Sequence, residues 1–295
     1  MRAVPTDLYP FVGKHFDRGG GIRMHYLDEG RGDPVVMVHG NPTWSFYYRD
    51  VVCALRDRYR CIVPDHVGCG LSDKPGDDAY RYVLESRVDD LEALLDSLEI
   101  TENITLIVHD WGGMIGFTYA TRHPERIRRI VVLNTSAFRL PLTKRFPLAL
   151  WLVRNTWLGT FLVRRFNAFS AIASRVCCTR TKLSAEVRAA YTAPYDTWDN
   201  RIATLRFVQD IPLQPGDPSY NTVTETETKL PALSQLPMLI CWGLRDFVFD
   251  KHFLAEWEER FPAAAVHRFE DCGHYVLEDA RDGVVALIRR FLETT

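Results

Sequence analysis

Residues 104–113, ITLIVHDWGG, run an unbroken β-type stretch (Ile104 to Val108) into His109-Asp110-Trp111-Gly112-Gly113, and helical spacing begins at Trp111. This is a strand, a charged residue at a sharp turn, and a helix. The turn needs small neighbours, which Gly112 and Gly113 supply, and Asp110 stands where such turns often present a nucleophilic Ser. Val108, two residues before Asp110, occupies a position where Gly is more usual. A helix N-terminus behind Asp110 favours its carboxylate form, and backbone N–H groups there can hold an oxyanion. Asp also caps helices well, so this stretch alone leaves capping and catalysis both open.

The same rhythm extends on either side. Val35 to Val38 (VVMV) is a short apolar run ending at His39-Gly40, and Arg60 to Pro64 (RCIVP) is another, followed by the turn-rich Asp65 to Gly70. Trp44 to Arg56 between them has helical spacing. Tyr82 to Leu98 reads as an amphipathic helix with Val88, Leu91, Leu94, Leu95 and Leu98 on one face. Arg129 to Leu133 (RIVVL) is a fourth strand. Apolar strands alternating with helices predict an α/β fold with a mostly parallel central sheet and helices on both faces. From Thr135 to about Pro215 the strand runs cease, and segments rich in Trp, Phe, Leu and Arg take over. The α/β pattern resumes with Met238 to Trp242, a helix from Lys251 to Phe261, Val266 to Phe269 and a last helix near Gly283 to Glu293. The expected organisation is a core of residues 1–134 and 214–295 with a helical cap, 135–213, inserted after the fourth strand. Such a cap would lie over the carboxyl ends of the strands, where open α/β sheets bind ligands.

Two more residues change the weight on Asp110. Asp246 follows the 238–242 strand in GLRD, and His274 follows the 266–269 strand in DCGH. Nucleophile, acid, histidine is the chain order of α/β-hydrolase triads, each residue just after a strand. Taken singly, Asp246 is an ordinary helix cap and His274 an ordinary core histidine; together, in this order and context, the three point to catalysis. His25, His66, His109, His123, His252 and His267 have no such context and are expected to be structural or exposed. An aspartate ionised at pH 7 attacks without a base and suits displacement at an sp³ carbon, giving an alkyl ester of Asp110. His274, oriented by Asp246, would serve the second step, usually by activating water.

Composition narrows the partners. The chain has 295 residues, 46% hydrophobic and 25% charged, with a formal net charge of −2 and no long run of like charge. That argues against nucleic acid or an anionic membrane surface as the main partner. The seven cysteines lack metal-ligand spacing and read as reduced, mostly buried thiols of a cytoplasmic protein. The opening MRAVPTDLYPF has no apolar signal-peptide core. The most apolar stretch, Pro147 to Val163, is interrupted by Arg154 and Asn155 and is too short for a membrane span. A small apolar substrate is the expected partner, and no cofactor or metal is expected.

His39-Gly-Asn-Pro-Thr-Trp44, His109-Asp-Trp-Gly-Gly113, the Asp246/His274 placement and Pro194 to Leu213 together resemble the haloalkane dehalogenase family of α/β-hydrolases, across essentially the whole chain. The resemblance implies that Asn41 and Trp111, beside the nucleophile, donate N–H groups to a leaving anion. Turn chemistry for Asn41 and core packing for Trp111 are the bland alternatives. With Asn134 at the alternative acid position, the pattern is similar to the subgroup that contains the cis-β-lactone decarboxylases of bacterial long-chain olefin biosynthesis. Asn41 to Arg49, Pro64 to Pro75 and Ser86 to Leu95 lean toward those decarboxylases.

The implied reaction is decarboxylation of a cis-3,4-dialkyl β-lactone to a cis-alkene and CO2, with assembly alongside other olefin-biosynthesis enzymes. Haloalkane dehalogenase is the alternative. Epoxide hydrolase is third: Tyr191 and Tyr195 are its candidate proton donors, but Asn41 sits where that family has an aromatic residue. Fluoroacetate-type dehalogenation is disfavoured because Trp111 replaces the Arg expected after the nucleophile. A non-catalytic binding protein is disfavoured by the complete triad. In the cap, Trp151, Leu152, Trp157, Leu158, Phe161, Leu162, Phe166 and Phe169 are expected mostly to pack between cap and core. A minority would line an alkyl pocket or face a partner. Arg164, Arg165, Arg175, Arg180 and Lys182 are expected to form a solvated face.

Overall fold

The computed structural model describes residues 4–295, so the first three residues of the MRAVPTDLYPF stretch lie outside the described residues. Eight strands form one sheet: β1 (Lys14–Gly19), β2 (Ile22–Glu29), β3 (Pro34–Val38), β4 (Arg60–Pro64), β5 (Ile104–Asp110), β6 (Ile127–Thr135), β7 (Met238–Gly243) and β8 (Ala265–Phe269). Their spatial order is β1-β2-β4-β3-β5-β6-β7-β8. Every pairing from β4 to β8 is parallel, whereas β1 and β2 join antiparallel at one edge.

The parallel strands are the apolar runs of the sequence, because both of their faces are covered. Val36, Val38, Leu106, Val108 and Val132 enter one buried cluster, while Val35, Met37, Ile107, Val131 and Leu133 enter the other. Sequence reading passed over β1 and β2. Their residues, KHFDRG and IRMHYLDE, intersperse charge with apolar positions, as strands of an antiparallel edge do.

Among the described residues twelve α-helices surround the sheet: α1 (Arg49–Leu55), α2 (Leu84–Ser97), α3 (Trp111–Arg122), α4 (Leu148–Asn155), α5 (Trp157–Phe166), α6 (Ala168–Val176), α7 (Ala185–Thr192), α8 (Ile202–Gln209), α9 (Tyr220–Lys229), α10 (Lys251–Arg260), α11 (Val276–Asp279) and α12 (Arg281–Thr294). Leu91 and Leu95 of α2, Ile115 and Phe117 of α3 and Trp257 of α10 cover one face. Val52 of α1 and Val284 and Ile288 of α12 cover the other. Between β6 and β7 the described residues form helices and loops only. There α4, α5 and α6 pack on α8, whereas α9 returns to pack on α3 of the core. On that packing we propose the division of core from cap at residues 135 and 213.

The turn after β5 is set by close approach. A Cβ on Gly112 would lie 1.9 Å from the Val38 carbonyl oxygen, and one on Gly113 would lie 1.9 Å from Thr135 Oγ1. The start of α3 is thus pressed between the ends of β3 and β6, and only glycine permits it. Because the obstacle at Gly112 is backbone, Gly112→Ala should lower unfolding stability by about 1–3 kcal/mol or more, read from urea midpoints. A neutral substitution would contradict this account of the turn.

Candidate active site

Asp110 closes β5 with φ 53°, a conformation that L-residues rarely adopt. Its carbonyl accepts a hydrogen bond from the Thr135 hydroxyl, which ties the turn to the end of β6. The Asp110 side chain makes no capping bond to α3. One carboxylate oxygen, Oδ1, instead accepts the main-chain N–H of Asn41 at 2.5 Å, and Oδ2 lies 3.5 Å from His274 Nε2. His274 Nδ1 is 2.7 Å from Asp246 Oδ2. Asp110 is the last residue of β5, while Asp246, His274 and Asn41 sit beyond the carboxyl ends of β7, β8 and β3. The five residues singled out in the sequence therefore converge, with Trp111 opening α3 beside Asp110.

Asn134 completes the acid's support. Its side-chain amide donates to Asp246 Oδ2 at 3.0 Å and to the Gly243 carbonyl at 3.0 Å, and its Oδ1 accepts from Gly243 N at 2.8 Å. Asp246 Oδ1 meanwhile accepts from Val248 N. Thus the residue at the alternative acid position holds the Asp246 carboxylate in place.

The charges are set by burial and pairing. Burial disfavours an imidazolium, but the Asp246 carboxylate and the contact with Asp110 outweigh it and push His274 up to about 10. Burial likewise disfavours a charged Asp110, yet His274 holds its carboxyl below the usual range. These shifts favour an imidazolium at His274 beside an ionised Asp110. His109, to which the sequence assigned no role, lies against this trio. Burial pushes it down to about 3, so it is neutral, and its Nε2–H donates to the His274 carbonyl at 2.9 Å. Its ring stacks on Tyr47 with centroids 4.3 Å apart.

The expected anion clamp is arranged differently from its sequence picture. Asn41 engages Asp110 through its backbone, while its side-chain Nδ2 donates to the Thr204 carbonyl of α8 at 3.0 Å. The amide is tethered to the cap with one proton left over, and its buried Oδ1 has no partner among the described residues. Trp111 Nε1 has no hydrogen-bond partner among the described residues, and the ring lines the cavity. Behind it lies Arg87, fully buried, with its guanidinium carbon 3.7 Å from the Phe207 ring centre and 5.8 Å from that of Trp111. Arg87 Nη1 is 3.4 Å from Asp210, whose carboxyl burial pushes up to about 6. Nε and Nη2 of Arg87 have no partner among the described residues. A buried cation therefore stands behind the indole that faces the reacting centre. Only its burial, invisible in the sequence, distinguishes it from a surface helix arginine.

Asp110, Trp111, Asn41 and His274 open onto a cavity of about 380 Å³. The rest of its wall is almost wholly apolar: Met114, Phe249 and Phe253 from the core, with Phe138, Leu150, Leu152, Leu162 and Phe169 from the cap. Two expectations need correction. Of the eight cap residues expected mainly to fill the cap–core contact, none is fully buried. Leu152, Leu162 and Phe169 line the cavity, whereas Trp151, Trp157, Leu158, Phe161 and Phe166 are exposed. Among the basic residues, Arg164 is not a solvated side chain: its guanidinium bonds the Trp198 carbonyl and stacks on the Trp198 ring. The two candidate tyrosines face elsewhere. Tyr191 donates to Glu278 at 2.5 Å and Tyr195 to the Thr43 carbonyl, and neither lines the cavity.

Comparison with known proteins identifies the family. A family model described as alpha/beta hydrolase fold matches residues 33–280. The chain is 62% identical to the cis-3-alkyl-4-alkyloxetan-2-one decarboxylase of Shewanella oneidensis, covering 98% of this chain and 90% of that one. It is 52% identical to the protein of the same name from Xanthomonas campestris, over 97% of each. Among solved structures, a loop variant of a Bradyrhizobium elkanii haloalkane dehalogenase superposes with a TM-score of 0.84 at 27% identity, covering 96% of both chains.

The raised His274 value has a measurable sign. An unfolded histidine titrates near about pH 6.5, so the stability contributed by the His274 charge is complete below that pH. It is lost as pH rises toward about 10. Urea midpoints of the native chain should fall across this window, and Asp246→Asn, which removes the main support, should show a shallower fall. Parallel curves would refute the charge assignment.

Proposed function

We propose that this chain, which belongs to the α/β-hydrolase fold family, removes CO2 from a cis-3,4-dialkyl β-lactone and releases a cis-alkene. The observation that carries the reading is the 62% identity, over almost the full chain, to a cis-3-alkyl-4-alkyloxetan-2-one decarboxylase. An oxetan-2-one is a β-lactone, and two alkyl arms suit an apolar cavity whose polar groups gather around Asp110.

Asp110 attacks the ring carbon that bears the alkyl group and the lactone oxygen. The C–O bond breaks with inversion, leaving an ester of Asp110 and a free carboxylate. Anti elimination follows: the bond to the carboxylate carbon supplies the electrons of the new C=C, CO2 departs, and Asp110 leaves as its carboxylate. Inversion followed by anti elimination keeps both alkyl groups on one side, which gives the cis product. No water and no net proton is consumed.

The residues around Asp110 suit these steps. The Asn41 N–H fixes one oxygen of the attacking carboxylate, and the Trp111 indole N–H is uncommitted and available for the carboxylate released on ring opening. The guanidinium of Arg87 lies behind that indole and favours negative charge there. His274 remains cationic beside the reacting atoms, and its charge offsets that of the opened substrate. We favour attack at the alkyl carbon over attack at the lactone carbonyl, because the Asn41 N–H, a natural donor to a carbonyl oxyanion, already holds Asp110.

Hydrolytic dehalogenation is the second reading, supported by the free Trp111 N–H and the dehalogenase-like fold. In that route alkylation of Asp110 removes one of the two charges that hold the His274 proton, so the imidazole moves toward the basic form needed to activate water. The cap tyrosines supply no donor to the cavity, which disfavours an epoxide substrate.

Purified enzyme given a cis-dialkyl β-lactone should release alkene and CO2 in equal amounts, and 1-bromobutane should give little bromide. Rapid bromide release without lactone turnover would overturn the reading. Asp110→Asn should lower lactone turnover by on the order of a thousandfold or more with an unchanged fold by circular dichroism. A single turnover in H₂¹⁸O should leave Asp110 unlabelled by mass spectrometry, whereas hydrolysis of an ester at its Asp carbonyl would label it. If the Trp111 indole holds the developing anion, Trp111→Phe should cost about a hundredfold or more in kcat with a smaller change in KM. Equal losses in KM alone would reduce Trp111 to a wall residue.

A further inference from the structure

The net charge of −2 conceals a strong local imbalance. Between Pro141 and Ala190 the chain carries nine Lys or Arg residues and a single acidic one, Glu186. Some of these cations are neutralised: Lys144 pairs with Asp250, Arg154 with Asp217 and Arg180 with Asp271. Arg145, Arg165, Arg175 and Lys182 are exposed and have no carboxylate partner among the described residues.

The same segment exposes bulky apolar side chains. Trp157 is 78% exposed and Phe166 58%, with Trp151, Leu158 and Phe161 also exposed. On α5 the exposed Trp157, Leu158, Phe161 and Arg165 recur at helical spacing, opposite the buried Gly159 and Val163. Phe161 and Phe166 pack edge to face with centroids 5.7 Å apart. Of the exposed large hydrophobics among the described residues, all but Val12 lie between Leu142 and Trp198 or at Phe247. Exposed Trp, Phe and Leu interleaved with unpaired cations on short helices is the signature of a surface that lies in a lipid interface. Among the described residues no helix is long and apolar enough to cross a membrane, so the contact would be peripheral.

The mouth of the cavity belongs to this patch. Ile172 and Val176 of α6 and Phe247 are at once exposed and part of the cavity wall. An apolar path therefore runs from the outer face of the cap to Asp110.

We propose that the outer face of α4, α5 and α6 docks on an anionic lipid bilayer, so that the cavity mouth opens toward the acyl region and apolar substrate enters from the membrane. The cations supply long-range attraction to acidic headgroups, and the aromatic and aliphatic side chains supply insertion. Unpaired positive charge across the patch also disfavours its burial against a second copy of the same face, since like charges would meet. The docking itself is independent of the reaction proposed above; only the direction of substrate entry rests on that reading.

The test is co-sedimentation of the full chain with phosphatidylcholine vesicles, with and without phosphatidylglycerol. Binding should require phosphatidylglycerol and weaken with salt. Each reversed cation should lower affinity by roughly fivefold or more, so Arg165→Glu with Arg175→Glu should nearly abolish it. Trp157→Ser with Phe161→Ser should leave a weak, fully salt-reversible attachment. None of these residues lines the cavity, so turnover of a dispersed short-chain β-lactone and the thermal midpoint should stay close to native for both pairs. No binding, equal binding to neutral vesicles, or unaltered binding by both pairs of variants would overturn the proposal. So would a concentration-dependent dimer, measured by sedimentation velocity, that both pairs of variants abolish. Failure of vesicle binding with intact lactone turnover would leave the catalytic reading standing, and the converse result would leave the docking standing.

Discussion

His274 lies between Asp246 at 2.7 Å and Asp110 at 3.5 Å, all three buried, and the remaining features of the site depend on that alternation of charge. Three ionised groups in an apolar interior are costly unless each is paired and hydrogen-bonded. The surroundings meet that requirement closely. Asn134 and the Val248 N–H hold Asp246, the Asn41 N–H holds Asp110, and neutral His109 fixes the backbone of His274. Loss of the His274 charge would leave two buried carboxylates without a counter-charge. The arrangement therefore contributes less to stability than to fixing a reactive carboxylate in one orientation.

This dependence explains why the sheet ends as it does. Asp110 can present both oxygens only if β5 stops at a strained turn, and the turn exists only because α3 begins against the ends of β3 and β6 at Gly112 and Gly113. The parallel strands bring four separate loops to one edge, so that residues as distant in sequence as Asn41 and His274 meet. The placement of the Asp110 carboxylate thus rests on packing at residues that carry no chemistry.

Much of this was legible in the sequence, for physical reasons. Strands buried on both faces leave apolar runs, and the runs at Val35, Arg60, Ile104, Arg129, Met238 and Val266 all became strands of the sheet. The convergence of Asp110, Asp246 and His274 was legible because each ends or follows such a run. The antiparallel edge was missed because its strands mix charge with apolar residues. Arg87, His109 and the bonds made by Asn134 were missed because their roles depend on burial and direction, which spacing does not encode. Asn41 was placed at the site, but its backbone N–H, not its amide, meets the nucleophile. The cap misled most. Large apolar residues on helices usually mean a covered face, and here Trp157, Phe161 and Phe166 face outward.

That outward face gives the cap a reason to be built as it is. A substrate with two alkyl arms needs an enclosed apolar cavity, and enclosure of that kind denies it an easy route through water. Small helices with apolar residues on both sides resolve the conflict. Leu152, Leu162 and Phe169 enclose the reacting molecule, and Trp157, Phe161 and Phe166 extend the same apolar character to the surface. The wall of the cavity and the outer patch meet at Ile172, Val176 and Phe247. The core positions the Asp110 side chain, whereas the cap supplies most of the cavity's apolar wall. One nucleophile can then serve the opening of a lactone or the displacement of a halide, according to what the cap admits.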